Sequence, residues 1–215
     1  MSSARARVAS SGAACWRTVC LISMGLFLGL SLAVAVTGVL PGDTFVRGEL
    51  TVNDTSGAVG LIRWVNHGGR AQVILPATIL LFLLSSVARR YWWLWCVALV
   101  GAPLLQNVVK LLVGRSRPDD VSLGFPSGHA TAAATYSVVL IYVAGRARLS
   151  RWQRPAVVAL AVCFMFAVGL ARIVRHAHWP SDVFGGFLLG IGCAAAAAWW
   201  EASHPEAGAP AAETR

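Results

Sequence analysis

The 215-residue sequence contains few charged side chains, since Asp, Glu, Lys and Arg together make up only 13% of it. A soluble domain carries about 25% of such residues, whereas 57% of this chain is hydrophobic. These proportions disfavour a soluble protein and indicate a membrane protein. The net charge of +9 would suggest a nucleic-acid partner in a soluble protein. Here the basic residues stand between apolar runs and no nucleic-acid-binding motif accompanies them, so we expect no such partner.

The pattern of the cysteines argues against two further classes. The five cysteines are odd in number, form no C-x-x-C pair and lie mostly inside apolar runs. A disulfide framework and a cysteine-ligated metal site are therefore disfavoured. We interpret these cysteines as small apolar residues.

Long apolar runs make up most of the remaining sequence. A helix that spans a bilayer needs about 20 largely apolar residues, and six runs qualify, of which the fourth is short enough to tilt or to begin in the interface. They cover residues 19–40, 71–88, 92–113, 129–144, 155–173 and 183–200. We predict an all-α integral membrane bundle of six transmembrane helices.

The first run could instead be a cleaved signal peptide. Three arginines precede it, and Ala33-Val34-Ala35 resembles a cleavage site. Its apolar run is longer than the core of a usual signal peptide, so we favour a retained helix.

The basic residues also orient the predicted bundle. The connecting segments on the side of the two termini carry ten cations, and the opposite segments carry eight. Three of the eight, Lys110, Arg117 and Arg172, are candidate site residues described below, and without them the bias places both termini in the cytoplasm. Six tryptophans near the predicted helix ends fit an aromatic belt: Trp92, Trp93, Trp95, Trp179, Trp199 and Trp200.

Three regions follow from this layout. Residues 1–18 form a cytoplasmic segment, residues 19–200 form the membrane domain, and residues 201–215 form a Pro/Ala/Glu-rich cytoplasmic tail that we expect to be disordered. The longest non-cytoplasmic connection, 41–70, contains a short apolar stretch at 58–65. We expect that stretch to be an interfacial helix.

A polar motif, KLLVGRSRP, closes the third apolar run. Lys110 ends the run, and Arg117 and Pro118 follow. If the helix continues past Gly114, residues seven apart share a face, so Lys110 and Arg117 would point the same way. Taken alone, the motif also fits a snorkelling lysine and a loop arginine near the lipid headgroups.

A second motif, PSGH, begins the fourth run. Pro126 halts the preceding chain, Ser127 is a good N-cap, and Gly128 lets the backbone approach a ligand closely. The free N–H groups and the positive end of the helix dipole make an anion site, with His129 on the first turn beside it. Taken alone, the motif also fits an ordinary capped helix with a histidine in the interface.

A third motif, ARIVRHAHWPSD, joins the fifth and sixth runs. Arg172 ends the fifth run, and Asp182 opens the sixth, with Ser181 as a candidate helix cap. Asp182 could accept a hydrogen bond from one nitrogen of His178 and leave the other nitrogen as a base or nucleophile. His176 is the alternative histidine, but His178 is closer to Asp182 in the sequence.

Together the motifs supply cations, helix-terminal amides, two histidines and a carboxylate on one side of the membrane. A phosphoryl group needs this set, because cations and amides stabilise the charge that spreads over its equatorial oxygens. One imidazole can attack phosphorus, and the other can protonate the leaving oxygen.

The three motifs resemble those of the type 2 phosphatidic acid phosphatases, integral-membrane relatives of bacterial acid phosphatases and vanadium haloperoxidases. The family pattern is K-x6-R-P, then P-S-G-H, then S-R-x5-H-x3-D. The first two are matched in full, and the third keeps its spacing. The one departure is Ala171 in place of the serine of the third motif, which removes a hydroxyl but no named catalytic group. With the six-helix layout, the resemblance covers about residues 19–200.

The resemblance implies a role for each site residue, at helix ends on the non-cytoplasmic face. His178 would form a phosphohistidine intermediate, Asp182 would orient it, and His129 would protonate the leaving group. A phosphate clamp would hold the phosphoryl oxygens and consist of Lys110, Arg117, Ser127, Gly128 and Arg172. The resemblance implies no metal or other cofactor. The sequence agrees only in that the acidic pair Asp119-Asp120, which we expect on a loop surface, lacks a surrounding ligand cluster.

We therefore expect a multi-pass cell-membrane phosphatase that acts on a lipid phosphate or polyprenyl diphosphate at the outer face. The same residues would also serve phosphotransfer to an acceptor alcohol. A non-catalytic phospholipid-binding membrane protein with a degenerate site is the non-enzymatic alternative. The sequence carries no signal for the headgroup, the lipid chain or the oligomeric state.

Overall fold

The computed structural model describes residues 2–50 and 58–204, where the chain is helical apart from turns, loops and one isolated antiparallel bridge between Ser116 and Leu123. The all-α prediction is confirmed for these residues. The described helices are α1 (Ser2–Thr37), α2 (Pro41–Glu49), α3 (Ala58–His67), α4 (Ala71–Leu84), α5 (Ser86–Arg90), α6 (Trp92–Val113), α7 (Gly128–Arg146), α8 (Gln153–Val174) and α9 (Pro180–Ser203).

A helix overlaps each of the six predicted runs, and the run 92–113 has the same bounds as α6. By length and apolarity, four described helices could cross a membrane, namely α1, α6, α8 and α9. Helices α3 and α4 could form a fifth span as a pair bent by 57°. The predicted fourth run, now α7, is not among them, because its buried face carries hydroxyl groups from Thr131, Thr135 and Ser137.

Several helix ends differ from the predicted ones for local reasons. Helix α1 begins at Ser2, well before residue 19, because the preceding segment is rich in alanine and arginine, which are strong helix formers. The second run breaks at Ser85, whose backbone is extended and whose Oγ accepts the N–H of Ala88 at 3.2 Å to start α5. Helix α9 continues to Ser203, and residues 205–215 of the predicted tail lie outside the described residues.

Helix α9 lies at the centre of the bundle, and 67% of its apolar 18-residue stretch is buried. Two of its glycines face α7 so closely that a Cβ at Gly190 would lie 2.5 Å from the carbonyl oxygen of Thr131. On its other side, Gly192 packs against Met24 of α1. Close packing of small residues is common between membrane helices, and here it brings the N-terminal ends of α7 and α9 together.

The opposite end of the bundle joins the start of α6 to the end of α9. The Tyr91 hydroxyl donates to the carbonyl of His204 at 3.3 Å, and the rings of Trp93 and Trp200 lie 5.2 Å apart. Trp95 was expected in the aromatic belt, but it is fully buried and packs 5.1 Å from the Tyr142 ring. That part of the belt prediction is wrong, because Trp95 faces the core.

Candidate active site

The loop between α6 and α7 carries the first motif into the site. Helix α6 ends at Val113 because Gly114 adopts a left-handed conformation (φ 67°) and donates its N–H to Lys110 at 3.1 Å. The predicted shared helical face for Lys110 and Arg117 is therefore wrong. Arg117 lies on the loop, where its N–H bonds the carbonyl of Ser122 at 3.0 Å.

The second motif is anchored by the core and by the two neighbouring helices. Phe125 is fully buried and stacks on Phe27 of α1. Gln106 donates from its side chain to the Pro126 carbonyl at 3.2 Å. Ser127 is the N-cap of α7 as predicted, and its N–H donates to the Asp182 carbonyl at 2.9 Å. Its hydroxyl makes no capping bond, so it is available to a ligand.

The third motif forms a buried histidine–carboxylate pair at the start of α9. The Nδ1 of His178 lies 3.3 Å from Oδ2 of Asp182, which also accepts the N–H of Trp179 at 3.0 Å. Trp179 is the N-cap of α9, so the expectation that Ser181 caps the helix is wrong. Because Asp182 occupies Nδ1, the arrangement favours the tautomer whose Nε2 carries the free lone pair.

Burial keeps His178 neutral at physiological pH. Burial lowers the pKa of His178 from 6.5 to about 4, the hydrogen bond to Asp182 opposes this shift, and the nearby Arg172 and Arg117 cations reinforce it. A neutral imidazole retains the lone pair that a nucleophile needs.

The other histidine of this motif points away from the carboxylate. His176 has a positive φ of 55°, and its Nδ1 accepts a hydrogen bond from Nε of Arg47 at 3.0 Å. Arg47 also forms an ion pair with Asp119 at 2.6 Å, on an exposed loop. His176 is thus part of a surface cluster with Arg47 and Asp119.

Close contacts join the three motifs into one site. A Cβ at Gly124 would lie 2.9 Å from Oδ2 of Asp182 and 3.4 Å from Cγ of Arg117. Lys110 interacts electrostatically with Arg117, Arg172 and Asp182. His129 is covered by the turn between α3 and α4, where a Cβ at Gly69 would lie 2.8 Å from its Cβ.

Besides Oδ1 of Asp182, four buried polar atoms of the predicted site residues have no hydrogen-bond partner within residues 2–50 and 58–204. They are Nε of Arg117, Oγ of Ser127, Nε2 of His129 and Nε of Arg172. Buried polar atoms are seldom left unpaired in folded proteins. Two guanidinium donors, a hydroxyl and an imidazole match the oxygens of a tetrahedral oxyanion, so these atoms form a candidate anion-binding centre.

Sequence reasoning missed three residues that hold this centre in place. Asn66 accepts a hydrogen bond from Nη1 of Arg172 at 2.6 Å, and Arg115 pairs with Asp43 at 2.7 Å. Asp43 could have been recognised as a helix-start residue, since it follows Pro41 and its side chain accepts the N–H of Leu40. Asn66 gave no local signal, and Arg115, although it lies within the first motif, was not recognised, because the partners of both residues are far away in sequence.

In the part of the chain that the structure describes, no group of three or more His, Cys, Asp or Glu side chains is arranged to hold a metal ion. The acidic pair Asp119 and Asp120 is exposed on the loop, where Asp120 accepts hydrogen bonds from Ser122.

Known proteins are similar to this chain in sequence. The chain is 28% identical over 174 residues to phosphatidylglycerophosphatase B of Bacillus subtilis (strain 168), covering 77% of this chain and 86% of that protein. It is 27% identical over 143 residues to an undecaprenyl-diphosphatase of Sulfolobus acidocaldarius, covering 61% and 65% of the two chains.

The fold also has a solved counterpart. The crystal structure of a transmembrane PAP2 type phosphatidylglycerolphosphate phosphatase from Bacillus subtilis matches with a TM-score of 0.73 and 23% identity, over 83% of this chain and 93% of that one. The family model of the PAP2 superfamily matches residues 91–205, which contain all three motifs. With more than half of its length matched by that model, the chain belongs to the PAP2 superfamily.

Proposed function

We propose that this chain is a membrane phosphatase that hydrolyses a lipid phosphate or a polyprenyl diphosphate through a phosphohistidine intermediate, without a metal ion. The observation that carries the proposal is the anion-binding centre of four unpaired polar atoms beside the His178–Asp182 pair. It combines a site for the phosphoryl oxygens with a neutral nucleophile in one place.

The reaction proceeds in two steps. Nε2 of His178 bonds to phosphorus, the bond from phosphorus to the leaving oxygen breaks, and His129 donates a proton to that oxygen. A water molecule then attacks phosphorus and gives its proton to His129, and the P–N bond breaks to release inorganic phosphate. The phosphate clamp stabilises the charge that develops on the equatorial oxygens in both steps.

A lipid substrate is supported by a cavity that reaches the site from the side of the bundle. The cavity has a volume of about 250 Å³, lies between α4, α6 and α7, and has walls that include Leu75 and Val100. Gly128 and Gln106 line it as well. A lipid chain in this cavity would begin beside Gly128, the neighbour of His129. In the proposed reaction, His129 protonates the leaving group.

The names of the relatives support both proposed substrate classes. One is a phosphatidylglycerophosphatase and another an undecaprenyl-diphosphatase. The choice between a monophosphate and a diphosphate therefore belongs to the test below.

We also propose six membrane spans, namely α1, the run formed by α4 and α5, α6, α7, α8 and α9, with α3 as the interfacial helix. Helix α7 is included because it runs alongside α9 and has 19 residues, close to the length that a bilayer requires. The arginine bias supports cytoplasmic termini in a cell membrane, with the site facing outward. The membrane domain is proposed to cover residues 19–200.

The proposed function is tested with purified protein and a panel of phosphatidic acid, phosphatidylglycerol phosphate, polyprenyl phosphates and polyprenyl diphosphates, all with EDTA present. We expect release of inorganic phosphate from at least one lipid, and its loss in His178→Ala. The matched control is His176→Ala, on the same loop, which should stay active. Equal activity in His178→Ala, or complete inhibition by EDTA, would contradict the proposal. Phosphate found only on an added acceptor lipid would identify a phosphotransferase.

A further inference from the structure

A buried ion pair lies directly behind the catalytic carboxylate. Nη2 of Arg115 is 2.7 Å from Oδ2 of Asp43, and its Nη1 is 3.5 Å from Oδ1 of Asp182. The side chains of Arg115 and Asp43 are only 4% and 2% exposed. One guanidinium thus lies between a carboxylate of α2 and the carboxylate of the third motif.

Ser181 connects the same two helices. Its N–H and its hydroxyl both donate to the Asp43 carboxylate, at 2.8 and 2.7 Å. The Ser181 oxygen in turn accepts a hydrogen bond from Nη1 of Arg115 at 2.6 Å. The first turn of α9, which carries Asp182, is therefore tied to α2 by a closed set of hydrogen bonds.

Stability alone is a weak reason for such an arrangement. The cost of removing charges from water often equals or exceeds the attraction between them in a buried pair. A role in positioning Asp182 explains the ion pair better. Oδ2 of Asp182 is held by Trp179 and His178, while its Oδ1 contacts Arg115. The guanidinium of Arg115 also packs over the Trp179 ring, with its carbon 5.5 Å from the centroid.

We propose that Asp43 and Arg115 are positioning residues, which orient Asp182 and leave its negative charge available to His178 during formation of the phosphohistidine. The inference rests on the proposed phosphatase function and adds two residues to the predicted site: Asp43 in α2, and Arg115, which lies within the first motif but outside the phosphate clamp.

The role of Asp43 is to hold Arg115 away from a full ion pair with Asp182. Without the Asp43 charge, Asp182 becomes the remaining carboxylate in contact with Arg115. Arg115 would then move onto Asp182 and compete with the Nδ1–H of His178. The imidazole would lose support for the positive charge that it gains as Nε2 bonds to phosphorus, whereas the phosphate clamp would be unchanged.

The test is Asp43→Asn in full-length protein, with kcat and KM measured on the panel lipid that the wild type hydrolyses fastest. We expect kcat to fall about 10- to 100-fold, by analogy with the effect of removing the outer-shell partners that orient metal ligands, with little change in KM. The matched control is Asp119→Asn, which removes an exposed carboxylate from Arg47 on the same side of the bundle. It should keep its kcat.

A double-mutant cycle separates positioning from a general structural effect. Single-turnover rates are measured for Asp43→Asn in the wild-type and Asp182→Asn backgrounds, with enzyme in excess and rates normalised to folded protein. If Asp43 acts through Asp182, the substitution has no further effect in the second background. An equal loss in both backgrounds, or an unchanged kcat in the single variant, would overturn the inference.

A second variant covers the case in which Asp43→Asn does not fold. Ser181→Ala keeps both charges and removes only the connecting hydroxyl, so a smaller fall in kcat with an unchanged KM is expected. A wild-type kcat in Ser181→Ala would then reject the inference. Absence of turnover by the wild type itself would reject the proposed function, which is a separate outcome.

Discussion

The contact between α7 and α9 should control catalysis, and Gly186→Ala is the substitution that perturbs it near the site. A Cβ at Gly186 would lie 2.6 Å from the Ser127 carbonyl oxygen and 2.9 Å from Cβ of Ala130. An ordinary C···O contact is about 3.3–3.6 Å, so α7 and α9 must separate by roughly 0.7–1 Å. The atoms involved are backbone and a methyl group, which cannot rotate away.

This separation acts on the catalytic geometry more than on the fold. Overpacking costs roughly 1–3 kcal/mol, and replacement of a helical glycine by alanine returns roughly 0.5–1 kcal/mol, so the net destabilisation should be about 0–2.5 kcal/mol. The shift would stretch the 2.9 Å bond from the Ser127 N–H to Asp182 and move His129 with it. Because a misplacement of about 1 Å can cost about 10²-fold in rate, kcat/KM should fall by about that factor.

The assay is phosphate release from the preferred lipid, normalised to folded protein by thermal unfolding in detergent. Gly145→Ala, in α7, is the matched control because no heavy atom lies within 4 Å of its added Cβ. It should be as active as the wild type and slightly more stable. If Gly186→Ala turned over substrate as fast as Gly145→Ala, close packing of α7 on α9 would not set the site geometry.

Three further predictions concern single side chains of the site. Because attack requires neutral His178, whose pKa is lowered to about 4, kcat/KM should fall only as the pH drops through about 4, well below the usual 6.5. Asn66→Leu removes the 2.6 Å acceptor from Arg172, and loss of a hydrogen bond to a charged group, worth roughly 1.5–3 kcal/mol, should raise KM about 10-fold or more. Gln106→Leu removes the donor to the Pro126 carbonyl and should lower kcat about 5-fold, since a neutral hydrogen bond contributes about 1 kcal/mol.

Matched controls exist for the two amide substitutions. Asn107→Leu and Gln72→Leu change exposed side chains of α6 and α4 and should leave KM and kcat unchanged. A rising limb near pH 6.5 would show that His178 is not held neutral by burial. Wild-type kinetics in Asn66→Leu or Gln106→Leu would show that the corresponding hydrogen bond does not position the site.

The sequence was sufficient for what depends on local pattern. Apolar runs located the six long helices, and the spacing within the third motif placed His178 four residues before Asp182, which the capping turn of α9 brings to 3.3 Å. The end of α6 was not recognised because a glycine can lie inside a helix or end it. In the structure, Gly114 adopts a left-handed conformation and ends α6.

Contacts between distant segments could not be read in the same way. Asn66 and Arg172 are 106 residues apart, and Asp43 and Arg115 are 72 apart. Their meeting depends on how α2 and α3 pack over the ends of α8 and α9, and a single sequence carries no periodic signal for such packing. The hydroxyl groups of α7 could not be interpreted from the sequence for the same reason. They are acceptable in a membrane only when neighbouring helices cover them, and that packing has no local signal.

The proposed covalent intermediate is tested most directly by trapping it. Wild-type protein is mixed with a lipid substrate labelled on its terminal phosphate, quenched with base, digested and analysed for labelled peptides. We expect an acid-labile, base-stable phosphohistidine at His178 in the wild type, stronger label in a slowly hydrolysing His129→Ala variant, and none in His178→Ala. Label on another residue, or turnover of the wild type at full rate without any labelled peptide, would contradict the phosphohistidine mechanism.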